Sequence, residues 1–156
     1  MWPDKRLTRV AEPVNEITDE IKAHWEDMIA TMEAMPGLGL AAPQIGVNLR
    51  LAVVDCSEER GRAICLANPE VLAFSEEMHS VTEGSPNLPG VSAKIMRPKK
   101  VTVRYLSAHG IWDRRDFEGL WATSVQHQID HLNGKLYFDR LSRVKRDMLL
   151  KKAFKR

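Results

Sequence analysis

The chain has 156 residues, 44% hydrophobic and 28% charged, with a net charge of +2. That length suits one domain over residues 1–156, burying roughly two-thirds of the surface its unfolded chain would expose. No apolar run nears the roughly 20 residues that span a bilayer, and no apolar signal core follows residues 1–6, so a cytoplasmic protein with no membrane partner is expected.

Pro13 precedes the first helical pattern. Val14, Ile17, Ile21, Trp25, Met28, Ile29 and Met32 recur at three- and four-residue spacing, and Pro36-Gly37 ends the run. Glycines in the stretch 37–46 allow tight turns and close backbone approach to a ligand. It is not a phosphate loop, because it lacks GxxxxGK[ST] and a helix precedes it. Strand-like runs follow at 50–55, 63–67, 71–74, 78–83 and 100–106, the last with Val101, Val103 and Tyr105 alternating with polar residues. Ser107-Ala108-His109-Gly110 reads as a hairpin turn into 111–117. A helix is expected over 118–132, stopped by Asn133-Gly134. A short basic helix is expected over 142–156, with Val144, Met148, Leu149 and Phe154 to bury. Residues 139–156 carry eight Lys/Arg against two Asp, a charge that suits an acidic partner such as RNA or the ribosome. Cys56 and Cys65 are expected to be buried small apolar residues rather than a disulfide, and the tryptophans to serve packing.

The helix over 118–132 carries His127-Gln128-Ile129-Asp130-His131. Two histidines at i and i+4 share a helix face and are placed to bind one metal ion. In metal-dependent hydrolases of this pattern the residue after the first histidine is a glutamate, which moves the proton of the attacking water. Here it is Gln128, whose carboxamide has no basic oxygen near neutral pH.

Three segments stand out together: Gly37-Leu38-Gly39-Leu40-Ala41-Ala42-Pro43-Gln44, Glu83-Gly84-Ser85-Pro86-Asn87-Leu88-Pro89-Gly90, and Gln126-His127-Gln128-Ile129-Asp130-His131-Leu132. In order and spacing they resemble the peptide deformylase family, which reads GxGxAAxQ, EGCLS and HExDH at these places. The resemblance implies a compact α+β fold, its strands packed around the central helix that carries HQIDH. It implies the family reaction, metal-dependent hydrolysis of the N-formyl group from the initiator methionine of new chains. It also implies a divalent metal, usually iron (zinc or nickel as alternatives), on His127, His131 and the residue at position 85. Gln44 would steady the oxyanion. Leu38 and Gly39 would line the substrate cleft, with Arg97 expected against the substrate. Asp130 would support a histidine or the fold. The partner would be a formyl-methionyl peptide or a related peptide end, and family members can approach the ribosome through a C-terminal helix. No DNA partner is expected.

Three departures fall on the chemistry. Gln128 replaces the glutamate. Ser85 replaces the ligand cysteine, and a hydroxyl that stays protonated is a poor metal ligand. Pro86 replaces the residue whose N–H is the implied oxyanion donor, and proline has none. The leading expectation is therefore a deformylase-fold protein that has lost, or nearly lost, the reaction. An alternative is a hydrolase of another amide, or a weak deformylase, with Asn87 or Glu83 completing the metal site. Another makes Ser85 a nucleophile, His127 or His131 its base and Asp130 the carboxylate behind it. The last is a binding protein that docks on the ribosome.

Overall fold

The computed structural model describes residues 5–85 and 88–154. The first helix, α1 (Asp19–Ala34), starts five residues later than the apolar spacing suggests. Thr18 caps it, its side-chain oxygen accepting the Ile21 N–H at 3.2 Å, with Asp19 and Glu20 in the positive first turn. Val14 is not helical because Asn68 holds its backbone, donating to Val14 O at 2.7 Å and accepting from Val14 N at 2.9 Å.

Among the described residues, seven strands form two antiparallel sheets. The larger runs in the order β1 (Gly39–Ala41), β2 (Leu51–Val54), β3 (Ile64–Phe74), β6 (Lys100–Leu106), β7 (Trp112–Glu118). The smaller is the pair β4 (Met78–Ser85) and β5 (Leu88–Pro98). The runs expected separately at 63–67 and 71–74 are one strand, β3, with register shifts where it pairs with β6. The turn 107–110 leads into β7 as expected, closed by Gly110 N donating to Ser107 O.

The second helix, α2 (Leu120–Leu132), begins after Gly119, whose φ of +64° breaks the chain direction; Glu118 still belongs to β7. Strand β2 lies between two helical layers, so all four of its side chains are buried. Ala52 and Val54 face α2 with Val125 and Ile129, while Leu51 and Val53 face α1 with Trp25, Met28 and Met32. This two-sided burial is why β2 reads as a continuous apolar run rather than an alternating one.

A third cluster joins the β4–β5 pair to the C-terminal helix α3 (Arg143–Phe154) through Val91, Ile95, Tyr137, Phe138 and Leu149. Of the four apolar residues expected to be buried on α3, Leu149 alone is; Val144, Met148 and Phe154 face solvent. Residues 155 and 156 lie outside the described residues. Cys56 and Cys65 are unbridged and half-buried, and burial pushes both thiols up to about 11, so neither is a reactive thiolate. Trp25 is core; Trp112 lies exposed beneath the Arg104 guanidinium, 3.7 Å from its ring centre; Trp2 lies outside the described residues.

Candidate active site

Helix α2 crosses behind the mouth of a cleft of about 480 Å³. The near lip is the chain from Met35 to Gly39 with Gln44, and the far wall is β4 from Val81 to Ser85. Leu120, Thr123, Ser124, His127 and Gln128 of α2 form the floor. The three sequence segments therefore meet at one place. Leu38, Gly39, Gln44, Ser85, His127 and Gln128 all line the cleft; Pro86 and Asn87 lie outside the described residues.

The lip is held close to the floor. Ser124 Oγ donates to Leu38 O at 3.0 Å. A Cβ on Gly39 would come within 2.5 Å of Ser124 Oγ and 2.6 Å of Gln128 Nε2, so only glycine lets the strand approach α2 this closely. From outside, Arg60 fastens the same lip. Its guanidinium donates to Gly37 O and Asp55 O, each at 2.7 Å, and pairs with Glu33 at 2.9 Å. Arg60 itself takes the left-handed conformation (φ +61°), as does Gly61 after it (φ +72°).

Gln44 is oriented by its backbone neighbour. Its Oε1 accepts the Ala41 N–H at 2.9 Å, which makes Nε2 the donor end of the carboxamide.

The two histidines touch each other. His127 Nε2 and His131 Nε2 are 3.2 Å apart, with His131 1% exposed and His127 reaching the cleft. His127 Nδ1 meets Glu83 Oε1 at 2.8 Å. Glu83 is further gripped by Arg97, whose Nε and Nη2 donate at 2.5 and 2.7 Å. Arg97 Nη1 also donates to Asp130 at 3.0 Å, and Arg140 grips Asp130 at 2.6 and 2.9 Å. Burial alone would raise the Glu83 carboxyl, but the hydrogen bonds from Arg97 and His127 and the positive charge of Arg97 hold it down at about 2. Burial, with His127 and Arg97 nearby, lowers His131 to about 3, so it is neutral near pH 7.

This geometry corrects three expectations. Arg97 does not face a substrate: it is wholly buried behind the cleft wall, fully engaged by two carboxylates. Asp130 supports the fold rather than a histidine: it binds two arginines, so it cannot serve as the carboxylate of a serine triad. Glu83 stands behind His127 on the Nδ1 side and has both oxygens committed, so it does not complete a metal site. His79 meets Thr123 Oγ1 at 3.0 Å and helps bind β4 to α2. Among the described residues no group of three or more His, Cys, Asp or Glu side chains is placed to hold a metal.

The family model described as Polypeptide deformylase matches residues 1–147. The chain is 46% identical over 155 residues to a peptide deformylase of Afipia carboxidovorans, covering 98% of this chain and 91% of that one. It is 43% identical over 154 residues to one of Azotobacter vinelandii, covering 99% and 92%. A crystal structure of peptide deformylase from Ehrlichia chaffeensis superposes with a TM-score of 0.92 at 36% identity, covering 99% of this chain and 93% of that one.

Proposed function

The chain belongs to the peptide deformylase family, and from that premise we propose that it keeps the family's cleft while having lost, or nearly lost, the family reaction. The observation that carries this is the floor of the cleft. At the position next to His127, where a base must take the proton of an attacking water, stands the carboxamide of Gln128. A carboxamide can orient a water but cannot accept its proton. Loss of such a group costs on the order of 100- to 10,000-fold in rate. The missing N–H of Pro86 removes an oxyanion donor, a further loss of roughly 100- to 1,000-fold when taken alone. The two costs need not add, since the groups act as one unit.

The family is metal-dependent, and the residues present do not fit its metal. Two imidazoles and the neutral hydroxyl of Ser85 are a poor donor set for iron, zinc or nickel. What the cleft retains is a binding shape: apolar walls from Met35, Leu38, Val81 and Leu120, and the Gln44 carboxamide. Its occupant in this reading is a formyl-methionyl peptide or a related peptide end, held without rapid cleavage, in the cytoplasm. Exposed Arg143, Lys145, Lys151 and Lys152 on α3, with Val144 and Met148 beside them, suit a ribosomal surface as a second partner. Deleting residues 142–156 should then abolish ribosome binding, and unchanged binding would count against that partner.

The test is formate release from a formyl-methionyl peptide, with the protein offered iron or nickel without oxygen. Wild type should be silent, and the triple variant Ser85→Cys, Pro86→Leu, Gln128→Glu should turn over. Clear turnover by wild type would overturn the reading in favour of an active deformylase. That second reading draws on the orientation of Gln44 and on the names of the relatives.

A further inference from the structure

Positions 85 and 128 differ from the family pattern by two units of negative charge. The family arrangement sets a thiolate and a glutamate against a dication. Here a hydroxyl and a carboxamide take those places, both neutral near pH 7. The charges left around the histidines already cancel inside the protein. Glu83 and Asp130 are matched by Arg97 and Arg140, in contacts of 2.5 to 3.0 Å. Among the described residues a dication brought to His127 would find no uncommitted anion beside it, and buried Arg97 would stand just behind Glu83 as a like charge.

The hydrogen bonding around His131 opposes a metal as well. Glu83 accepts, so His127 Nδ1 carries the proton and His127 Nε2 bears the lone pair. In that tautomer His127 Nε2 can accept from His131 Nε2–H across the 3.2 Å contact. His131 Nδ1 is buried with no hydrogen-bond partner, and in this arrangement it is a bare acceptor. To offer its Nε2 lone pair to a metal, His131 must move its proton to Nδ1. That would bury an N–H with nothing to receive it, and orphaned N–H groups are rarer in proteins than under-satisfied acceptors.

We infer that the His127–His131 pair is a metal-free, hydrogen-bonded unit, and that Ser85 and Gln128 keep the cleft electroneutral in place of a bound dication. This rests on the proposed loss of family chemistry, but it concerns metal uptake and stability rather than turnover.

The full chain should be titrated with Co2+, Ni2+ and Zn2+ against a chromogenic chelator, and its thermal unfolding followed with EDTA and with one equivalent of each metal. Wild type should take up no stoichiometric metal and should unfold at the same temperature with metal or EDTA. Ser85→Cys should raise Co2+ affinity by more than the ~10- to 100-fold typical of a supporting contact, and should show a thiolate-to-cobalt absorption band. Ser85→Cys with Gln128→Glu should bind tightest and become EDTA-sensitive. A wild type that binds one equivalent and loses stability in EDTA would overturn the inference. So would a double variant that binds metal no better than wild type. Should the double variant not fold, wild type and Ser85→Cys still decide. The two readings separate cleanly: wild type that binds metal without turnover ends this inference alone, and metal-free wild type that releases formate ends the functional reading alone.

Discussion

Replacing Arg97 with leucine tests what docks the β4–β5 pair on α2. The guanidinium is wholly buried and bridges Glu83 of β4 to Asp130 of α2. Leucine would leave Glu83 with His127 alone and Asp130 with Arg140 alone. Breaking a buried ion pair from one side costs about 3–5 kcal/mol. The carboxyl gives an independent figure. Glu83 is held at about 2 against an ordinary 4.5, and a difference of that size corresponds to roughly 3 kcal/mol at neutral pH. A folded-state value below the unfolded one stabilises above pH 4.5 and is lost as pH falls toward 2. The penalty of Arg97→Leu should therefore be largest at pH 7.5 and shrink toward pH 4, where the freed carboxyl can take a proton. Urea unfolding at both pH values measures this. Glu83→Gln combined with Arg97→Leu should cost less than the sum of the two single changes, because neither leaves the other's charge buried. An Arg97→Leu protein within about 1 kcal/mol of wild type at pH 7.5 would refute the claim that this ion network ties hairpin to helix.

His131 should make the fold acid-sensitive. Its folded-state value of about 3 lies below the ordinary 6.5, so the unfolded chain binds the extra proton, and stability falls as pH drops from 6.5 toward 3. The total is on the order of several kcal/mol. His131→Leu should flatten the urea midpoint between pH 6.5 and 4.5, and an NMR titration placing His131 near 6.5 would refute the assignment. Gly134→Ala should destabilise by about 1–3 kcal/mol or more, since φ is +75° and the new methyl would come within 2.5 Å of Thr8 O. Gly46→Ala, at φ +81° but in open space, should cost only about 1–2 kcal/mol, and equal losses at the two positions would show that the clash at Gly134 is relieved.

Local patterns made parts of this molecule legible. The i, i+4 spacing of His127 and His131 places both on one helix face, and the Gly-Leu-Gly run marks a backbone that must come close to something. What could not be read was set by distant partners. Glu83 and Asp130 lie 14 and 33 residues from Arg97, and nothing in spacing says that docking a hairpin on a helix will bring them together. Hence the sequence sets Arg97 against a substrate and leaves Asp130 to a histidine or the fold, without revealing Glu83 behind His127. Strand β5 escaped for a different reason. Burial alternates from Val91 to Arg97, but the inward positions include small Ala93 and charged Arg97, so the apolar pattern is weak, and Pro89, Gly90 and Pro98 argue against a strand. Val14 and Ile17 matched a helical period, yet a capping threonine and a side-chain clasp from Asn68 overrode it.

The clasp made by Arg60 bears on how anything gains access to the cleft. Gly37 and Asp55 are joined through one guanidinium, and the side chain of Asp55 in turn ties its own loop by accepting from the N–H groups of Ser57 and Arg62. The lip of the cleft and the loop 55–62 are thus a single fastened unit. Widening the mouth means undoing that unit as a whole, so amide hydrogens at Arg62 and along the lip should exchange with solvent at a common rate. Admission of a bulky guest would then be timed by a rare opening rather than by diffusion, and cutting the clasp with Arg60→Ala would quicken both exchange and access together.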